Sequence, residues 1–225
     1  MDFQPTLQLL ISLAATLGIN AIPAGLVLLG GNSAWTAMVL YFLENIVSIL
    51  LAAARVRILA PADDTAYAGL IYETMKVTIN GVARPERQIP PTRRRLIVDY
   101  VFPSLVFSAG VGVFLFMFVF VVGQHSVPGS VILSGMEGII ALQLVHFVAD
   151  LALLGPLTPP QAQALLQQSL GRVGLIFFAV FIGTFVAAVN TDWFVIPFVA
   201  LKTIADLAVL IQAFTARLQK PVPEI

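Results

Sequence analysis

The chain contains no cysteine, so disulfides, thiolate metal sites and cysteine nucleophiles are excluded before any pattern is read. It has only two histidines, His125 and His146, too few for a three-histidine metal centre, and no His-Glu-x-x-His pattern occurs. There is no Gly-x-Ser-x-Gly elbow, no phosphate loop and no dinucleotide fingerprint. Charge is scarce as well: Asp, Glu, Lys and Arg make up 11% of the residues, against about 25% in a soluble domain. With zero net charge and no basic tail, nucleic acid is not an expected partner. No cofactor and no metal is expected.

In place of these the chain has apolar bulk. It is 59% apolar with a mean hydropathy of +0.95, and six runs approach the ~20 residues that cross a ~30 Å hydrocarbon core. They lie at about 6–29, 35–57, 96–122, 130–154, 172–190 and 193–215. Inside lipid every backbone polar group must be satisfied within the segment, so helices are expected. The fold class is therefore all-α: a polytopic integral membrane bundle of six transmembrane helices, partnered by the lipid bilayer. The first run lacks a basic leader region, and an Ala-x-Ala-like site near its end is followed by no soluble domain, so it is read as a retained helix.

The basic residues sort by side. Arg55, Arg57, Lys76, Arg84, Arg87, Arg93, Arg94 and Arg95 fill one connection, Arg172 falls in another, and Arg217 and Lys220 lie in the tail. Basic segments stay in the cytoplasm during insertion, so these regions are expected inside, with 30–35, 124–129 and 190–193 outside. Both termini are then cytoplasmic and the location is a bacterial inner membrane. Trp35 and Trp193 are expected at the outer interface, which indoles favour.

Residues 1–225 read as one transmembrane domain, with 58–95 a cytoplasmic or interfacial loop. In that loop Asp63 or Asp64 is placed to cap a short helix carrying Tyr67, Leu70, Ile71 and Met75. The stretch Lys76 to Ala83 contains Asn80-Gly81, a type I′ hairpin signal. Arg84, Arg87, Arg93, Arg94 and Arg95 form a basic surface suited to a topogenic role or to docking of a partner or anionic headgroups. Gly155 to Pro160 ends the fourth span, and Gln161–Gln168 reads as a short polar helix leading to Arg172 at the start of the fifth. Small residues, Ser108, Gly110 and Gly112 in the third helix, Gly135 and Gly138 in the fourth, and Gly171, Gly174 and Gly183 in the fifth, permit close helix contact within the bundle or with another subunit. Phe114, Phe116, Phe118 and Phe120 read as packing or lipid-facing bulk.

Ionisable groups inside the spans are the candidate site, because each costs about 2.5–3.5 kcal/mol on insertion scales unless it faces the bundle or a wet cavity. Glu44 and Lys202 each lie nine residues from the outer end of their helices and are expected at one depth. Asn20 and Glu137 reach a comparable layer, giving a polar layer of Asn20, Glu44, Glu137 and Lys202. Lys202 and Asp206, like His146 and Asp150, are four apart and share a helix face. Over Glu44, Glu137, Asp150, Lys202 and Asp206 the formal charge is negative, so one carboxylate is expected to lack a cation. His146 with Asp150 has the makings of a general base, yet Ser130 and Ser134 are three or more turns away along the same helix, so a packing role is favoured.

Tyr41-Phe-Leu-Glu44-Asn45 and Leu201-Lys202-Thr203-Ile-Ala-Asp206-Leu207 resemble the paired blocks of a family of uncharacterised bacterial multi-pass membrane proteins. The resemblance implies a polytopic helical fold and importance for Glu44, Asn45, Lys202 and Asp206; it implies no established activity. The fifth helix lacks a histidine that the resemblance leads one to expect, which weighs against a metal or redox role. Small size, little soluble mass and an inner loop suited to docking point to a non-enzymatic accessory or assembly subunit of a larger inner-membrane complex, partnered by other membrane subunits. Arginine outnumbers lysine nine to three, which fits an actinobacterial source, with an MCE-type lipid transporter or a respiratory supercomplex as expected host. The alternative is a small proton- or ion-coupled secondary transporter or channel using the intramembrane Glu/Lys/Asp layer.

Overall fold

The computed structural model describes residues 3–68, 70, 92–122, 127–153, 155–189, 199–208 and 210–211. All regular structure among them is helical: α1 (Phe3–Leu28), α2 (Ala34–Leu59), a 3-10 turn (Asp64–Tyr67), α3 (Arg93–Phe116) running on as a π-helical turn (Met117–Val122), α4 (Gly129–Leu153), α5 (Pro159–Val189) and α6 (199–208). Four segments, Thr6–Leu28, Ala34–Leu59, Arg93–Phe120 and Gly129–Leu153, are long and apolar enough to cross a membrane.

The helix ends follow local chemistry. α1 stops at Gly30-Gly31-Asn32, where Gly31 takes the left-handed conformation (φ 65°) and Asn32 returns both its backbone N–H (3.2 Å) and its side-chain amide (2.8 Å) to the Leu26 carbonyl. Thr92 caps α3 by accepting from the Arg95 N–H at 3.1 Å. Arg93 donates to the Arg57 carbonyl (3.1 Å) and the Ala60 carbonyl (3.3 Å) at the C-terminus of α2, so this arginine of the basic surface is engaged within the chain. Arg95 reaches Asp99 at 3.5 Å, while Arg94 is exposed. Asp63 caps the 3-10 turn, and hydrogen bonds from the Thr65 hydroxyl and N–H hold its carboxyl below the usual range. The expected residues Ile71 and Met75, the Lys76–Ala83 hairpin, Arg84, Arg87, His125 and Trp193 lie outside the described residues.

The fourth connection is shorter than its sequence suggests. Gln161–Gln168 is not a separate helix: Pro159–Val189 is one helix of 31 residues. Thr158 caps it, its N–H (2.8 Å) and hydroxyl (2.9 Å) both bonding the Gln161 side-chain oxygen, with Pro159 in the first helical position. No proline follows before Arg172 and Gly171 is accommodated within the helix, so the helix runs through it. At ~1.5 Å per residue, Arg172 lies about 20 Å along α5, inside the bundle and not in a loop.

Among the described residues α2 is the central element, touching α1, α3, α4 and α5. Trp35, at the N-terminal end of α2, packs with Met38, Tyr41, Val111, Leu115 and Val119. The glycines of α4 admit α1 and α2: a β-carbon on Gly135 would lie 2.9 Å from the Leu40 methyls, and one on Gly138 would lie 2.9 Å from Ile22. Phe107, Phe177, Phe114, Phe118 and Phe181 form an aromatic seam between α3 and α5, with centroids 4.5 to 5.9 Å apart. Phe116 and Phe120 are exposed. The distribution is the reverse of a soluble protein's: Phe102 is 69% exposed and Val113 66%, while Glu44 is 0% and Lys202 1% exposed.

Candidate functional site

Four charged side chains from three helices meet inside the bundle. Lys202 on α6 contacts Glu44 on α2 (Nζ to Oε2, 3.0 Å) and Asp206 one turn along its own helix (2.9 Å), and donates to the Asn20 side-chain oxygen on α1 at 2.8 Å. Asn20 in turn donates to Asp206 (3.0 Å). Glu44, Lys202 and Asn20, from three helices, are thus in mutual reach.

Arg172, read from the sequence as a loop charge, is the missing member. Its Nη2 donates to Glu44 at 2.8 Å and its Nε to Asp206 at 2.8 Å, so it bridges the same two carboxylates that Lys202 contacts. Glu44, Asp206, Lys202 and Arg172 sum to zero formal charge. Arg172 and Arg55, both counted as loop residues, lie within helices and compensate Glu44, Asp206 and Asp150, so that of the carboxylates expected in the spans only the exposed Glu137 has no cation beside it among the described residues. A compensated set of this kind is the condition for keeping ions out of water, since removing one partner strands the other. The capping box Thr158-Pro-Pro-Gln161 was the sequence signal that would have put Arg172 in mid-helix.

Glu137 is not in the layer. The buried face of α4 is Gly135, Ile139, Gln143 and Asp150, and Glu137, two residues on from Gly135, is turned ~200° round the helix and is exposed. Asn45 is buried beside the layer and donates to Ser108 on α3 (3.3 Å). His146 and Asp150 form a second centre, nearer the C-terminal ends of α2 and α4. Asp150 accepts from Gln8 on α1 (3.0 Å), pairs with Arg55 on α2 (2.9 Å) and lies 3.6 Å from His146. Gln143, between the two centres, donates to Ser48 (2.9 Å) and to the Glu44 carbonyl (3.3 Å).

A cavity of about 320 Å³ joins the centres. It runs from Gln8, Leu157 and Gln161 to Asn20, Arg172 and Asp206, and the 12 residues from Gln8 to Asn20 correspond to about 18 Å of α1. Glu44 and Lys202 lie just beyond its lining. Further on, the bundle is packed: Met38, Leu40 and Tyr41 are fully buried, Lys202 Nζ is 4.7 Å from the Tyr41 ring centroid, and the Tyr41 hydroxyl donates to the Asn20 carbonyl at 3.0 Å. Among the described residues no three acidic or imidazole groups converge as a metal-binding set.

An apolar exterior around a buried, charge-compensated polar core defines an all-helical protein with helices built to cross a membrane. The chain belongs to the family of unknown function DUF6498, whose model matches residues 4–222. No curated protein and no solved structure matches it.

Proposed function

We propose that this chain is a small proton- or ion-coupled secondary transporter of a bacterial inner membrane, with six spans and both termini cytoplasmic. The observation that carries the reading is one-sided access. A polar cavity reaches Asp206 and Arg172 from the end of the bundle where α5 begins, while Trp35, Met38 and Tyr41 pack the other side shut. Glu44 and Asp206 share two cations, so protonating either carboxylate or placing an ion beside it redistributes Arg172 and Lys202 between them. Coupling requires that the network have a second arrangement close in energy to this one, which the transporter reading therefore demands. The test is charge displacement by the purified protein in proteoliposomes on a solid support, after jumps in pH or Na⁺. Wild type is expected to give transient currents that the charge-balanced double variant Glu44→Gln/Lys202→Met abolishes. Wild-type traces identical to those of empty liposomes would overturn the assignment.

A second reading, a non-enzymatic accessory or assembly subunit of a larger inner-membrane complex, is favoured by one face of α5. β-Carbons built at Gly171 and Gly174 meet nothing within 4 Å, and Phe178 and Ile182 beyond them are exposed. Mild-detergent purification of the tagged protein, followed by mass spectrometry, is expected on this reading to yield stoichiometric membrane partners; a lone monomer or homo-oligomer would remove it.

A further inference from the structure

The transport reading leaves the solute unspecified, and the cavity wall narrows its chemistry. Every arginine and carboxylate in the lining is paired with another: Arg172 with Asp206 at 2.8 Å, Arg55 with Asp150 at 2.9 Å. A ligand of net charge would find no counter-charge that is not already engaged, and would have to break a buried pair to obtain one.

The neutral groups of the wall are in the opposite condition. Ser12 on α1 is 3% exposed and its hydroxyl has no partner among the described residues, nor has that of Thr16 one turn further along the same helix. Across the cavity the Ser48 hydroxyl accepts from Gln143, which leaves its own proton undirected. The Gln143 side-chain oxygen is buried without a donor. The three hydroxyls belong to residues that line the cavity and hydrogen-bond to whatever fills it, while the Gln143 oxygen, buried without a donor, costs free energy until one reaches it. The open groups include hydroxyls, which both donate and accept, and an amide oxygen, which only accepts. A solute hydroxyl matches either.

From this juxtaposition we infer that the cavity lined by Ser12, Thr16, Ser48 and Gln143 binds a small uncharged polyhydroxylated solute. The volume of about 320 Å³ lies at the lower end of the range for small-molecule sites. The inference rests on the transport reading only for the identity of the cargo; binding itself requires no transport.

The probe is myo-inositol, with glycerol as a smaller analogue and glutamate, putrescine and glycine betaine as charged or zwitterionic counterparts. Equilibrium dialysis of labelled probes against the purified full chain in detergent is the readout, because polyols at high concentration stabilise proteins generally by exclusion from their surface. Saturable binding of the uncharged polyol is expected, with Thr16→Val and Ser12→Ala each weakening it about tenfold, as expected for a lost hydrogen bond. Glu137→Gln, on the far face of α4, is expected to leave binding unchanged and serves as the control. Absence of saturable polyol binding means that the cavity holds water only and overturns the inference. Equal binding of a charged probe, or binding unaffected in both hydroxyl variants, overturns it also. Polyol binding without currents on pH or Na⁺ jumps would remove the transport reading and leave this site standing; currents without polyol binding would do the reverse.

Discussion

Lys202 is the residue on which the interior depends most, since its ammonium serves two carboxylates and an amide at 2.8 to 3.0 Å. Lys202→Met is expected to destabilise by about 3–5 kcal/mol, because Glu44 and Asp206 are then left to Arg172 alone. Adding Glu44→Gln restores the balance of one carboxylate to one cation, and most of the loss is expected to return. A thermal double-mutant cycle in detergent reads this coupling, and strict additivity of the two changes would show that the pair is not energetically linked. Tyr41→Phe removes only the hydroxyl that bonds the Asn20 carbonyl at 3.0 Å, for a smaller cost of about 0.5–1.5 kcal/mol in the same assay. Of the intramembrane polar residues, Asn20, Glu44 and Lys202 were legible in the sequence because depth counting needs only helix ends and ~1.5 Å per residue, and Asp206 because it lies four residues from Lys202. Glu137 was misplaced by the same counting. Depth says nothing of rotation about the helix axis, and rotation put that carboxylate on the outer face.

At the scale of the element, two glycines separate internal packing from open surface. Both sit in helix interiors, where alanine is favoured over glycine by up to about 1 kcal/mol. At Gly171 a β-carbon meets nothing within 4 Å, so Gly171→Ala is expected to raise the unfolding midpoint of the isolated protein. At Gly135 it would lie 2.9 Å from both methyls of fully buried Leu40, so Gly135→Ala is expected to lose about 1–3 kcal/mol to overpacking. Opposite signs in one thermal assay are the expected outcome, and a gain at both positions would mean that α2 and α4 are less tightly apposed than described. The small-residue pattern showed that helices approach closely somewhere; it could not distinguish a glycine facing a neighbour from one facing outward. α5 makes a similar point about length. Its capping box was visible in Thr158-Pro-Pro-Gln161, but hydropathy counting began the span at Arg172 because the preceding glutamines are polar. Two of those glutamines, Gln161 and Gln168, line the cavity.

For the molecule as a whole, the absence of cysteine makes topology directly measurable, since every introduced thiol is a single reporter. Asn32→Cys is expected to react with a membrane-impermeant maleimide in intact cells, and Arg87→Cys only after permeabilisation. Labelling of both from outside would contradict the six-span arrangement with cytoplasmic termini. Orientation no longer leans on Arg172, which is inside the bundle, but on the cluster from Arg57 to Arg95 and on Arg217 and Lys220. Ser12→Cys, buried against the cavity, is expected to react slowly and from the cytoplasmic side only, which tests the direction of access in the same experiment.

By itself the sequence determined the class: scarce charge and long apolar runs oblige backbone hydrogen bonds to close within helices, and that constraint acts on each segment separately. It also placed Glu44, Lys202 and Asp206 within spans, though it left Arg172 and Arg55 in loops. The tertiary structure alone decided how those groups are compensated. Arg172 became the fourth member of the network and Arg55 the partner of Asp150 through the packing of α5 and α2 against their neighbours. Charge balance in a low-dielectric interior depends on separations of a few ångströms between residues more than a hundred positions apart in Glu44 and Arg172, and no local pattern along the chain encodes them.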